Sequence, residues 1–271
     1  MGAPTLDRVE TAGERARPRH ARTGLLGLGL ISATMLIFMG LVVTTFPEEA
    51  GFIAPFLVGA LVATGLVWRF DATWARVVGA VVTLVLAVMM FWVAFGLLHP
   101  VAFFDFVPGV MFVLGVGLSL FGNIAAIVQT RRGHLEARAE RHWRLEQVTL
   151  GVVLLAIVVS GTMSLLGRTS VDAAAAADAV PVEMTGFEFE PAMIEVTGGE
   201  QLLVRNSDPF IHDIAVPGLD IDPVNVTPGS EVLVDVPAAP GTYVVYCTLH
   251  SNTSEAAPDP EHAMVGSLVV R

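Results

Sequence analysis

Five long apolar runs in the first two thirds of the chain constrain its fold most strongly. They occupy residues 24–46, 52–68, 77–98, 107–128 and 148–167. A helix needs about 20 apolar residues to cross the hydrocarbon core of a bilayer, which is about 30 Å thick. We therefore expect five transmembrane helices over residues 23–167, after a basic tail over residues 1–22. The first run is not a signal peptide, because it is too long, lacks a small-residue cleavage site and is soon followed by another span.

The arginines predict the orientation of these spans. The chain has 15 basic residues, all of them arginine. Twelve of them lie in three segments. Arg8, Arg15, Arg17, Arg19 and Arg22 precede the first span, Arg69 and Arg76 lie between spans two and three, and Arg131, Arg132, Arg138, Arg141 and Arg144 lie between spans four and five. Five spans put all twelve on one side of the membrane, and cytoplasmic loops are the ones enriched in arginine. We therefore expect a multi-pass protein of the cell membrane, with a cytoplasmic N-terminus and an extracytoplasmic C-terminal domain.

The composition changes after the last apolar run. Residues 168–179 read as a short alanine-rich linker, and apolar and polar residues alternate from residue 180 onwards. Alternating segments at 181–191, 194–197, 201–205, 231–236, 241–246 and 266–270 are separated by Gly-Gly and Pro-Gly pairs. Short strands at this spacing favour an all-β sandwich over residues 180–271.

The single cysteine of the chain indicates the chemistry of this β domain. Cys247 precedes His250 by three residues, with His212 upstream and Met264 downstream. A thiolate, two imidazoles and a thioether are the ligands of a type 1 (blue) copper site. One cysteine excludes an internal disulfide and a dinuclear copper centre with two bridging cysteines. A multicopper oxidase would need several histidine-rich motifs, and the sequence has none.

Motifs on both sides of the cysteine resemble those of cupredoxins. The first half resembles this family in Phe189-Glu-Pro191, Ile194-Glu-Val196, Gly198, Asn206-Ser-Asp208 and His212. The second half does so in Gly241-Thr-Tyr243, Tyr246-Cys247-Thr-Leu-His250 and Met264-Val-Gly266. The resemblance covers residues 180–271 and implies a Greek-key β-sandwich that binds one copper ion. It also implies that His212 follows an inner strand and that the other three ligands come from the last loop between strands.

Two features depart from the family pattern. Met264 lies fourteen residues after His250, whereas close relatives place it only a few residues on. His262 is therefore an alternative to His250 as the second imidazole ligand. The residue after His212 is Asp213, where plastocyanin-like proteins often have asparagine. We expect Asn206, Asp213 and Thr248 to surround the ligands, and an ionised Asp213 to lower the reduction potential.

The charge of the β domain predicts the kind of partner. Residues 171–271 contain sixteen Asp and Glu and two Arg, a net charge near −14. Such a surface repels nucleic acid and favours a basic redox partner or respiratory complex. We expect a membrane-anchored electron carrier rather than an enzyme, embedded in lipid, with an oligomeric state that the sequence does not predict. Two alternatives stay open: a copper-handling or sensing protein, and a membrane protein whose spans do the work with the cupredoxin as an accessory.

Overall fold

The computed structural model describes residues 18, 20–45, 47, 50–70, 72–133, 143–250 and 264–271. The helices are α1 (Ala21–Thr45), α2 (Ala50–Phe70), α3 (Thr73–Met89), α4 (Phe103–Arg131) and α5 (Trp143–Leu166), with a 3-10 segment over Phe91–Leu98. The strands are β1 (Val180–Thr185), β2 (Glu188–Glu190), β3 (Met193–Val196), β4 (Gln201–Asn206), β5 (His212–Val216), β6 (Ile221–Val226), β7 (Glu231–Asp235), β8 (Gly241–Tyr246) and β9 (Val265–Val270).

Four of the helices, α1, α2, α4 and α5, are long and apolar enough to cross a membrane. The third predicted span is broken, because α3 and the 3-10 segment meet at a bend of 60°. The described residues therefore contain four candidate spans, or five if this bent pair counts as one, and the number five stays a prediction. Arg76, which the sequence places in a loop, lies in the first turn of α3 and is 1% exposed.

Close backbone contact and polar pairs hold the helices together. A Cβ added to Gly27 of α1 would lie 2.2 Å from the backbone nitrogen of Ser119 in α4, so only glycine permits this approach. The hydroxyls of Thr83 and Ser119 lie 2.6 Å apart between α3 and α4, and those of Ser32 and Thr64 lie 2.9 Å apart between α1 and α2. These groups satisfy one another in an apolar environment, as expected for polar residues within a bundle.

The chain forms two compact units. The first contains most of α1 to α4. The second comprises Leu41–Glu49, Trp92–Val110 and Val152–Arg271, so it joins the 3-10 segment, the start of α4 and the end of α5 to the β domain. Within this second unit a Cβ on Gly96 would lie 2.1 Å from the Asp105 carbonyl oxygen, so the 3-10 segment packs directly on the start of α4.

Two sheets build the β domain, in the orders β2-β1-β4-β7 and β3-β9-β8-β5-β6. The pairs β1–β4 and β3–β9 are parallel, and the remaining pairs are antiparallel. Alternate side chains point inward, as in β4, where Leu202, Val204 and Asn206 are buried. The apolar core between the sheets also includes Cys247 and Met264, so two of the four candidate ligands belong to it.

The segment between α5 and β1 is attached to the β domain at its beginning. The Glu231 backbone N–H donates to the Thr169 carbonyl at 2.9 Å, and the Thr169 hydroxyl donates to the Glu231 carbonyl at 2.9 Å. The Thr169 N–H also donates to the Ser230 hydroxyl at 3.1 Å. The first residues of the expected linker therefore pair with the end of the turn between β6 and β7 and with the first residue of β7.

Candidate metal centre

Three of the four predicted ligands meet at one end of the sandwich. His212 opens β5, Cys247 directly follows β8, and His250 comes one turn later. The Cys247 Sγ lies 3.8 Å from the His212 Nδ1 and 3.4 Å from the His250 Nδ1, and the two Nδ1 atoms are 3.1 Å apart. Donors about 2.0–2.3 Å from a first-row metal in a trigonal plane would be separated by roughly 3.5–3.9 Å. The three atoms thus have nearly the spacing that one ion requires.

The residues around the donors fit a copper ion chemically. The His212 Nε2 lies 2.9 Å from the Asp208 Oδ2, and since a carboxylate only accepts, the Nε2 carries the proton. The Nδ1 of His212 therefore presents its lone pair towards Cys247, as a metal-binding imidazole must. Cys247 and His212 are fully buried and His250 is partly exposed, so most of the centre is shielded from water. Two imidazoles and one thiol at this spacing suit a type 1 copper ion.

The electrostatics of the metal-free centre favour neutral donors. Burial, followed by the nearby Asp213 carboxylate, raises the pKa of Cys247 to about 12. Burial, followed by neighbouring His212, lowers the pKa of His250 to about 3. Both groups are therefore uncharged at neutral pH in the absence of metal. A bound cation would reverse this preference at Cys247, because coordination deprotonates a thiol.

Met264 lies next to this cluster. Its side chain is 2% exposed, and its carbonyl accepts the backbone N–H of Cys247 at 3.0 Å. Met264 immediately precedes β9, which pairs with β8, so the pairing of these strands brings residues 247 and 264 together. The role of its thioether as axial ligand stays a prediction. His262, the alternative imidazole, lies outside the described residues.

The three residues expected around the ligands are engaged in hydrogen bonds. Asn206 donates to the carbonyls of Phe210 and Val226 at 2.8 and 2.7 Å, which holds the loop that leads to His212. The Asp213 N–H donates to the Cys247 Sγ at 3.4 Å. The Asp213 carboxylate accepts from the Thr248 N–H at 2.6 Å and from the Thr248 hydroxyl. These contacts join the two chain segments that carry the ligands.

Asp208 was not predicted as a site residue, although the sequence motif contains it. Its carboxylate accepts from the His212 ring and from the backbone N–H groups of Gly186 and Phe187 at 2.8 and 3.0 Å. Burial acts to raise the pKa of Asp208, but these hydrogen bonds outweigh it and the net pKa is lowered. An acid four residues before a candidate histidine ligand was the available signal, because ligand histidines commonly donate to a carboxylate.

Phe187 is a second residue that sequence reasoning missed. Its ring meets the rings of His212 and His250 edge-on, with centroid distances of 4.9 and 4.5 Å. It lies in the two-residue turn between β1 and β2 with φ of 61°, a left-handed conformation that is unfavourable for an aromatic residue. The Asp208 carboxylate binds both N–H groups of this turn and so stabilises the strained position of the ring.

One protein family and several solved structures are similar to part of the chain. The family described as "Cupredoxin-like domain" matches residues 152–256. Among solved structures, amicyanin from Paracoccus versutus is 20% identical, over 35% of this chain and 83% of that chain, with a TM-score of 0.28. A copper-containing nitrite reductase from Thermus scotoductus is 24% identical, over 34% of this chain, with a TM-score of 0.26. The match spans only 22% of the nitrite reductase. No curated protein matches the chain.

The family match overlaps the β domain without coinciding with it, because it begins within α5 and ends before β9. The cupredoxin fold binds copper, and His212, Cys247 and His250 lie close enough together to form such a site. The chain therefore contains a match to the cupredoxin-like domain over residues 152–256, and the apolar helices α1, α2 and α4 lie upstream of it in the sequence.

Proposed function

We propose that the protein is a membrane-anchored type 1 copper protein that carries single electrons on the extracytoplasmic side, between respiratory redox partners. The convergence of the Cys247 Sγ with the Nδ1 atoms of His212 and His250 is the observation that carries this proposal. Copper bound there would supply one-electron chemistry between its two common oxidation states. The four candidate spans support the membrane anchor, and the acidic β domain supports a basic partner.

The protein residues would keep the centre rigid while the charge changes. Asp208 fixes the orientation and the tautomer of His212. Asp213 ties Thr248 and Cys247 to the start of β5 through its carboxylate and its N–H. Phe187 shields the two imidazoles from water on one side. A centre held in this way reorganises little, which suits electron transfer better than the release or delivery of metal.

The absorption spectrum of the full-length protein, loaded with copper and oxidised, tests the proposal. We expect an intense blue band and a reversible one-electron couple, and we expect Cys247→Ser to remove the band, because it arises from the thiolate. The matched control is Met193→Leu, which changes an exposed sulfur residue of β3 in the same domain. A weak, colourless Cu(I) site in the wild type would instead favour copper handling, and a blue band that survives in Cys247→Ser would refute the ligand assignment.

A further inference from the structure

A cavity of about 330 Å³ lies within the second compact unit, where α4 begins and α5 ends against the β domain. Its wall is formed mainly by six residues: Phe103, Phe104, Ser164, Arg168, Ser207 and Asp208. Two prolines and Gly229 complete it. This volume is at the lower end of the range in which proteins bind small organic molecules.

The cavity adjoins the candidate metal centre. Asp208 lies in its wall, and the same carboxylate accepts the hydrogen bond of the His212 ring. The segment Trp92–Val110 also contacts the loop that leads to His212, because the Asp105 carboxylate accepts the backbone N–H of Ile211. A molecule in the cavity would thus be separated from a ligand imidazole by a single side chain.

The wall combines an aromatic side with polar groups. Phe103 and Phe104 are half-buried, with ring centroids 5.3 Å apart, and offer an apolar surface for a flat ring. The Arg168 guanidinium and the Ser164 hydroxyl can donate to oxygens of a ligand, and neither has a hydrogen-bond or ion-pair partner among the described residues. Ser207 donates to Glu183, which leaves its oxygen free to accept.

The surroundings of the cavity favour a neutral ligand from the bilayer. Both helices that form it, α4 and α5, are candidate membrane spans, and Leu165 and Leu166 beside Ser164 are 68% and 81% exposed. An apolar molecule can therefore reach the cavity through the membrane. An anionic lipid headgroup fits less well, because the Asp208 carboxylate lies in the wall and the adjoining domain is strongly acidic.

We propose that this cavity binds the headgroup of a membrane quinone. A quinone is neutral, has one flat ring for the two phenylalanines, and carries oxygens for Arg168 and Ser164. A hydroquinone can also donate to Ser207. The proposal deepens the proposed function and rests on it, since it names the class of small molecule that would bind beside the copper centre.

Binding to the metal-free, full-length protein in phosphatidylcholine nanodiscs tests the proposal. Decyl-ubiquinone is titrated and the heat of binding is measured, so copper is not involved. We expect one saturable site in the wild type. Ser164→Phe fills the cavity and should weaken binding by roughly tenfold or more. The matched control is Leu165→Phe, which adds the same ring at the adjacent, exposed position and should leave the affinity within about twofold.

Two further measurements keep the test decisive. Arg168→Gln removes the guanidinium donor without adding bulk to the cavity and should weaken binding several-fold. The proposal therefore does not depend on Ser164→Phe folding normally. Native mass spectrometry then shows whether a phospholipid occupies the protein. Absence of saturable binding, equal affinities of Ser164→Phe and Leu165→Phe, or a bound phospholipid that the quinone does not displace would each overturn the proposal. None of these outcomes bears on whether the copper-loaded protein has a blue band. The quinone proposal can therefore fail while the copper proposal stands.

Discussion

The Asp208 Oδ2 lies 2.9 Å from the His212 Nε2, and both side chains are buried. The same carboxylate binds the turn that carries Phe187. One acidic side chain thus orients a candidate ligand and also holds the aromatic ring that covers it. This relationship makes Asp208 the first residue to test as a positioning residue of the centre.

Asp208→Asn should raise the reduction potential of the copper-loaded protein. The carboxylate stabilises the more positive, oxidised centre, so its loss favours the reduced one. The difference between a charged and a neutral hydrogen bond is about 1–2 kcal/mol, which corresponds to roughly 40–90 mV for a one-electron couple. Voltammetry measures the shift, with the exposed Asp222→Asn as the matched control. An equal potential in Asp208→Asn and wild type would show that Asp208 has no influence on the centre.

Met264→Leu should keep the blue colour and raise the reduction potential. A thioether is a weak axial donor that favours the oxidised ion, and leucine removes it with little change in volume. Absorption spectroscopy and voltammetry together separate this result from a loss of copper.

Alanine substitutions of His250 and His262 should have different effects on the absorption spectrum of the copper-loaded protein. His250→Ala opens the trigonal plane and should abolish or alter the colour, because the His250 Nδ1 lies 3.4 Å from the Cys247 Sγ. His262→Ala should leave the blue absorption band nearly unchanged. The opposite pattern, with colour lost in His262→Ala and retained in His250→Ala, would reassign the ligand to His262.

The metal-free protein should lose stability as the pH falls from about 6.5 towards 3. Burial lowers the pKa of His250 from 6.5 to about 3 in the folded protein, so the unfolded chain binds a proton more readily in this range. Stability therefore rises with pH across this window and is fully present above it. Amide hydrogen exchange in β4 and β8 measures the effect. His250→Gln should reduce the pH dependence, and an unchanged dependence in this variant would assign it to other groups.

The β domain should lie outside the cytoplasm. Alkaline phosphatase folds only where its disulfides form, so a fusion after Arg271 should be active. A fusion after Arg131, at the end of α4, is the matched control and should be inactive, because the predicted topology places that end in the cytoplasm. If the bent pair of α3 and the 3-10 segment does not cross the membrane, the fusion at Arg271 will be inactive and the number of spans must be revised.

The sequence by itself determined which donors are present and which segments are apolar. Cys247 is the only cysteine in the sequence, so composition alone identifies the thiolate ligand. The apolar runs are local patterns, and they predict α1, α2, α4 and α5 directly. The break after Met89 was not predicted, because the hydropathy of residues 77–98 is continuous across the bend. Hydropathy reports whether a residue is apolar and contains no information about the direction of the helix axis.

Only the tertiary structure decided which side chains surround the centre. The contacts of Asp208 with Gly186 and Phe187 join positions more than twenty residues apart, and no periodic pattern specifies them. The placement of Phe187 over His212 and His250 depends in turn on the pairing of β1 with β2 and with β4. Local patterns fix the donors and the elements, whereas strand pairing and packing bring distant residues together around the metal centre.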